Sequence, residues 1–346
     1  MRSSDRLSIA GLRFVGSSLV RPECVLAHRS GLLFAADWAG AGGVAVIRAD
    51  GAVRRIEAHG LREPLRPNGI ALEANGSFLI AHLGADTGGV FRMWPNGAVS
   101  PVLVALDGQP LPPTNFATRD ADDRLWITVS TRKVPRDLGY RPDADDGFIV
   151  CRFPDGRAAI VADGLGYANE CALAADGAHL YVNETFGRRL SRFAVRGDGT
   201  LGDRETVAAF GPGTFPDGLA FDAEGQLWIT SIVSNRVIRV DPASGRQTMI
   251  LEDTDPDHLA EVEAAFQAGR LGRPHLDTVK SRRLASISSL AFGGPDLETA
   301  YLGCLLGGAI AAFDAPVAGA RPRHWTANVD ACLSLFDAPP PPEGHA

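Results

Sequence analysis

Six oxygen-bearing side chains recur along this chain: Glu23, Asn68, Asn115, Asn169, Asp217 and Ser288, at separations of 45, 47, 54, 48 and 71 residues. Each heads a short apolar stretch, in PECVLA, PNGIAL, TNFATR, ANECAL, PDGLAF and ISSLAF. Strands are depleted in Asn and Asp, so their return at one position asks for a cause. Brought together, two carboxylates and three amides are expensive to bury without a compensating charge. A hard divalent cation supplies it. Glu23 and Asp217 neutralise the ion, and Asn115 and Asn169 add neutral oxygens. Positions remain for water or substrate within the roughly 6–8 oxygen shell of Ca2+. No Cys or His falls in the set, which disfavours Zn2+. One divalent ion is therefore expected, Ca2+ first, with Zn2+, Mn2+ and Mg2+ as alternatives. The competing reading is that these Asn and Asp residues only serve turns. That reading suits Asn68 and Ser288 better than the trio Glu23, Asn169 and Asp217, because a turn has no need of a glutamate.

The elements that must position these residues are legible as a repeat. Partner strands follow each apolar stretch, in LLFAAD, SFLIAH, RLWITV, HLYVNE, QLWITS and TAYLGC, after turns such as Ser30-Gly31, Asn75-Gly76 and Asp176-Gly177. A second hairpin is marked by Asp50-Gly51, Asn96-Gly97, Asp155-Gly156, Asp198-Gly199 and Ser244-Gly245. Six units of four short antiparallel strands predict an all-β fold, a six-bladed β-propeller. A β-sandwich explains neither the sixfold return nor the spacing. In a propeller the innermost strands line a central channel, so the six residues form a ring at one of its mouths. Residues 1–336 are expected to form this one domain, with Leu12 to Val15 closing the ring as the outer strand of the last blade. The Pro-rich tail 337–346 is expected to be disordered.

The step between the fifth and sixth ring residues is longer than the others, and the excess lies near 254–285. Asp255-Pro256 reads as a helix start, Leu259, Val262 and Phe266 recur at helical spacing, and Gly269 reads as a stop. A helical insert between blades five and six is predicted, on the ring's face of the propeller, as a lid or pocket wall.

Bulk properties bound the partners. The 346 residues carry a net charge of −7, with 45% hydrophobic residues. This excludes nucleic acid and anionic membrane as main partners and leaves a small-molecule substrate. No window is apolar enough to span a bilayer, and no signal-peptide pattern opens the chain. The odd number of cysteines, five, without a CxxC pair, fits a reduced, cytoplasmic setting.

In the stretches RPECVL, LYVNETFGRRLSRF and FPDGLAFDAEGQLWIT the chain resembles the gluconolactonase family, which includes senescence marker protein and the luciferin-regenerating enzyme. The resemblance implies a six-bladed propeller with a divalent metal in its channel, held by Glu23, Asn169 and Asp217, with Asn115 contacting substrate and ligating Ca2+ in related phosphotriesterases. Sugar-lactonase members carry an arginine two residues before that asparagine, where this chain has Pro113. A lactone less polar than a sugar lactone follows. The phosphotriesterase relatives carry a histidine in the last blade, where this chain has Ser288 and Ser289.

The expected activity is hydrolysis of a small lactone, with the metal as Lewis acid and Asp217 as general base, or alternatively as nucleophile. Asn115, Asn68 and Ser288 are the expected substrate contacts. The rivals are another metal-assisted reaction at this site, phosphotriesterase-like or an isomerisation, and a non-enzymatic Ca2+-binding propeller. Arg132, Arg136 and Tyr140 read as a solvated loop near the mouth. Trp126, Trp228, Cys24 and Cys171 read as core, and His28 and His82 stand isolated.

Overall fold

The partner strands are apolar at successive positions rather than alternate ones. The computed structural model, which describes residues 6–337, gives the reason: each strand is sandwiched between two blades. In blade two, Phe78 and Ile80 pack toward blade one and Leu79 toward blade three. Leu125 and Ile127 of blade three face blade two, while Trp126 faces blade four. Side chains alternate faces along a strand, so a strand covered on both sides is apolar throughout.

Six four-stranded antiparallel sheets result, with inner strands Val25–Ala27, Pro67–Leu72, Thr114–Arg119, Ala168–Leu173, Phe215–Phe221 and Ile287–Gly293. Each inner strand touches the next, and the last touches the first. Arg13–Val15 pairs with Ile310–Asp314 as the outer strand of blade six, so the first segment of the chain closes the ring as expected. A hydrophobic cluster fills every interface between neighbouring blades. The seam between blades six and one is the leanest, with Ala27, Ala35 and Ala45 among its buried residues.

The turn chemistry is equally regular. The first hairpin of each blade holds a left-handed residue, and in blade three, which has no glycine there, Asp123 adopts it with φ +60°. Asp and Asn tolerate that region better than other side chains. Trp126 and Trp228 are fully buried, and their indole N–H groups donate to Asp120 and Asp222 at equivalent turns, 2.9 and 3.0 Å.

The insert holds helix α1 (Pro256–Gln267), which Asp255 caps by accepting the His258 N–H at 2.8 Å; Gly269 ends it at φ +64°. Two further helices, α2 (Arg273–Leu276) in the insert and α3 (Asp330–Leu333) after blade six, are too short to leave a periodic signal. Among the described residues no helix is long and apolar enough to cross a membrane, and all five cysteines are unpaired and buried. The expected disordered tail falls, beyond Asp337, outside the described residues.

Candidate metal centre

Only Glu23 precedes its inner strand; Asn68, Asn115, Asn169, Asp217 and Ser288 lie within theirs, each at a break in register. From Pro216 to Leu219 three steps on the inner strand face two on the partner, Ser231 to Ile229. The same occurs from Pro67 to Ile70 and from Ala168 to Cys171, with one-residue slips at Thr114/Phe116 and Ile287/Ser289. A β-bulge bends its strand and re-aims a side chain that the regular pleat would send into a blade interface. All six residues are buried, none more than 5% exposed.

Hydrogen bonds tie the bulges to one another. Asn68 Nδ2 donates to the Asn115 carbonyl at 3.1 Å, and the Ser288 hydroxyl donates to the Glu23 carbonyl at 2.7 Å. The Asn183-Glu184-Thr185 tripeptide of blade four builds the far side. Asn183 Nδ2 donates to the carbonyls of Asp217 and Gly218, both 3.0 Å. Thr185 Oγ1 donates to the Pro216 carbonyl at 2.8 Å and accepts from Asn169 Nδ2 at 3.0 Å. Glu184, fully buried, accepts the Gly166 N–H. These positioning residues sit inside LYVNETFGRRLSRF but went unassigned from sequence, because their partners lie on strands whose register only folding sets. At Gly218 a Cβ would stand 2.4 Å from the Ser288 carbonyl oxygen and 2.6 Å from Ser289 Cα. Neither neighbour can swing aside. Gly218→Ala is expected to cost about 3 kcal/mol or more in urea melts; an unchanged midpoint would mean that the bulge yields freely.

The electrostatics of the ring are unbalanced. Burial drives the Asp217 carboxyl well above its ordinary range, and the charges of Glu23 and Glu170 push it further, against Arg21 and Arg136. Burial raises Glu170, the neighbour of Asn169, to about 8, with Glu23 contributing. Glu170 was not foreseen; it accepts the Leu219 N–H at 3.2 Å beside Gly218. Arg21 was quoted only as part of a motif; its Nη2 lies 2.9 Å from Glu23 Oε2. Three carboxyls therefore face two guanidiniums, and burial with mutual repulsion disfavours the charge on Asp217 and Glu170 unless a cation compensates it.

The residues present fit a cation. Glu23 Oε2, Asn68 Oδ1 and Asn115 Oδ1 are buried acceptors without a hydrogen-bond donor; the Arg21 contact is close but not aligned as a hydrogen bond. Asn169 Oδ1 accepts only the adjacent Glu170 N–H, at 3.0 Å. Among the described residues no three Cys, His, Asp or Glu side chains converge as a ligand set, so the amide oxygens must count. An oxygen-only set of this kind suits Ca2+ or Mg2+.

Around the mouth, the loop after the second strand of blade three is only in part the solvated excursion expected, with Val134 and Leu138 exposed and Arg136 half-buried. Arg132 is exposed and paired with Asp163, but Tyr140 is buried against Tyr167 and Phe186, with ring centroids 5.5 and 5.0 Å away. The insert completes this aromatic layer. Phe266 of α1 meets Phe186 and Phe215 at 5.8 and 5.3 Å, and Val262 and Leu276 are buried with them. Phe215 and Tyr167 each stand two residues before a ring residue, so the insert roofs the ring's own face. A crevice of about 410 Å3 between α1 and blade five touches no ring residue. Its carboxylates are already paired, Glu252 with Arg6 and Arg236 and Glu263 with Arg188. Of the other candidates, Cys24 and Cys171 are core residues, as expected. His28 is buried, its Nε2 3.1 Å from the Ala327 carbonyl, and the ring of His82 stands edge-on to Phe91.

Residues 22–253 match the model of the SMP-30/Gluconolactonase/LRE-like region, from Pro22 to the end of blade five. The chain is 31% identical over 162 residues to a 6-deoxy-6-sulfogluconolactonase of Pseudomonas putida, a match spanning 46% of this chain and 45% of that protein's length. Its fold is similar to that of a gluconolactonase from Xanthomonas campestris, with TM-score 0.64, 22% identity and coverage of 88% and 89% of the two chains. It is also similar to a calcium-binding protein, regucalcin, from Agrobacterium tumefaciens, with TM-score 0.61, 18% identity and coverage of 89% and 96%. With residues 22–253, more than half of its length, matched in this way, the chain belongs to the SMP-30/gluconolactonase/LRE-like family.

Proposed function

We propose that the protein hydrolyses a lactone at the ring, with one divalent cation, Ca2+ first, held by Glu23, Asn169 and Asp217 and completed by Asn115. The observation that carries this reading is the set of buried acceptors without donors around Asp217, a carboxyl whose charge burial and its neighbours disfavour until a cation joins them. Family membership, a relative named as a lactonase and a structural neighbour described as calcium-binding support it. When bound, the cation supplies Lewis-acid polarisation of the ester carbonyl.

The remaining chemistry belongs to the chain's own residues. No described residue hydrogen-bonds the Asp217 carboxylate, so one of its oxygens can take the proton of an attacking water. The same group returns that proton to the ring oxygen as the ester C–O bond breaks. Asn115 orients the ester, and Asn68 Oδ1, without a donor, is placed to accept from a substrate hydroxyl. Ser288 would have to give up its bond to the Glu23 carbonyl to touch substrate. The roof formed by α1 and α2 keeps bulk water from the ring and shapes what can enter. Five unpaired, buried cysteines suit a reducing compartment such as the cytoplasm.

A panel of lactones of differing ring size and polarity, followed by acid release with and without EDTA, tests the reading. Acid release that EDTA abolishes and Ca2+, Mg2+ or Mn2+ restores is expected. If cation binds and no lactone is opened, the protein is a binding propeller instead.

A further inference from the structure

The ring holds acceptors that lack donors. One layer nearer the mouth the imbalance is reversed. The residues two places before the ring residues are Arg21, Arg66, Pro113, Tyr167, Phe215 and Ser286. Arg21 and Tyr167 are held in the left-handed region, φ +54° and +70°. Arg136 joins this layer from the blade-three loop, its guanidinium carbon 5.3 Å from the centre of the Tyr167 ring. Arg21 Nε and Arg136 Nε are buried donors with no partner, and Tyr167 Oη, beside Tyr140 and Arg136, has no aligned one.

The charges at the mouth are also unmatched. Arg21 pairs with Glu23, but no described carboxylate lies within ion-pair distance of Arg136 or Arg66. Arg136 donates to the Ser130 hydroxyl, at 3.3 Å, and lies beside the Tyr167 phenol; the adjacent Asp137, whose Oδ1 is buried and unpartnered, does not pair with it. Arg66 lies 5.4 Å over the Trp38 ring, which also carries Arg21 at 4.8 Å. Arg21 reaches the ring itself, 2.9 Å from Glu23, and Arg136 stands against Tyr167, two residues before Asn169, so both border the channel mouth. Arg136 keeps its charge although its Nε is buried. Buried cations are ordinarily paired, and a planar guanidinium matches a carboxylate oxygen for oxygen.

We propose that the channel mouth is a subsite for a carboxylate or similar oxyanion carried by the substrate, gripped by Arg136 with Tyr167 and attracted by Arg66. The arginine absent at Pro113 thus has counterparts elsewhere in the same layer, and the substrate is an anionic lactone rather than an apolar one. The word substrate rests on the lactonase reading; the anion site does not.

Binding to three γ-lactams that cannot be hydrolysed separates the two. They differ only in the substituent on the ring carbon beside the nitrogen: methyl, hydroxymethyl or carboxylate. Calorimetry on the full chain, with Ca2+ and again with EDTA, should show the carboxylate binding about tenfold or more tighter than the methyl compound in both. Arg136→Met should remove that advantage, and Arg136→Lys, which keeps the charge without the fork, should retain part of it. Equal binding of carboxylate and methyl compounds, tightest binding of the hydroxymethyl compound, or an advantage undiminished in Arg136→Met would overturn the subsite. An advantage present only with Ca2+ would also overturn it, by assigning the anion to the ion. Should Arg136→Met fail to fold, the three-compound series on the unmodified protein and on Arg136→Lys decides. Carboxylate preference without turnover of any lactone would sink the lactonase reading alone, and turnover of neutral lactones without that preference would sink the subsite alone.

Discussion

Asp217→Asn is expected to keep a folded propeller and to lower kcat/KM for lactone opening by about 10³-fold, the usual weight of a positioned proton acceptor. The amide is close in shape to the carboxyl it replaces and needs no charge compensation. In cation-free protein the Asp217 carboxyl is buried and repelled by Glu23 and Glu170, so its loss should leave the melting temperature equal or slightly higher. The same change removes one of the two anionic ligands assigned to the cation, and the stabilisation by Ca2+ should shrink with it. Steady-state kinetics beside thermal melts check both halves. A variant that hydrolyses at the full rate would remove Asp217 from the chemistry.

The second large effect is a pH dependence that the cation should cancel. Folding raises Asp217 well above 3.8 and moves Glu170 from 4.5 to about 8. The folded state therefore holds protons that the unfolded chain has already lost, and stability falls as pH rises through that window. For Glu170 the contribution is fully present below about pH 4.5 and is gone above about pH 8. Melting temperatures in EDTA should fall across this range. Ca2+ competes with those protons, so its stabilisation should grow as pH rises. At about 100 times its dissociation constant it is worth roughly 2.7 kcal/mol, a shift on the order of 5 °C. Melts in EDTA and in Ca2+ from about pH 5.5 to about pH 8.5 give the comparison. A midpoint in EDTA that climbs with pH, or a Ca2+ increment that is the same at both ends, would contradict the charge distribution derived for the ring.

Much of this molecule is local, and local features could be read without coordinates. The hairpin turns, the doubly apolar partner strands and the Asp255, Pro256 and Gly269 boundaries of α1 each depend on a few neighbouring residues. The identities of the ring residues also came through, because six equivalent blades repeat the same oxygen-bearing type. Arg136 and Tyr140 did not. Their loop is polar enough to suggest solvent, and the burial of Tyr140 within it depends on Phe186, which packs on Phe215 and Phe266 from other segments. The bulges escaped for a related reason: a slip between Pro216 and Leu219 exists only relative to Ser231 and Ile229 on another strand.

The sequence by itself determined the six blades, the insert and the six residues around the channel, since periodicity and turn chemistry act within a few residues. Only the tertiary structure decided where those side chains point, which carboxyls burial and like charges push up, and that donors gather at the mouth above a ring of acceptors. Charge balance is a sum over neighbours in space, and Arg136, Glu23 and Asp217 become neighbours only when the propeller closes.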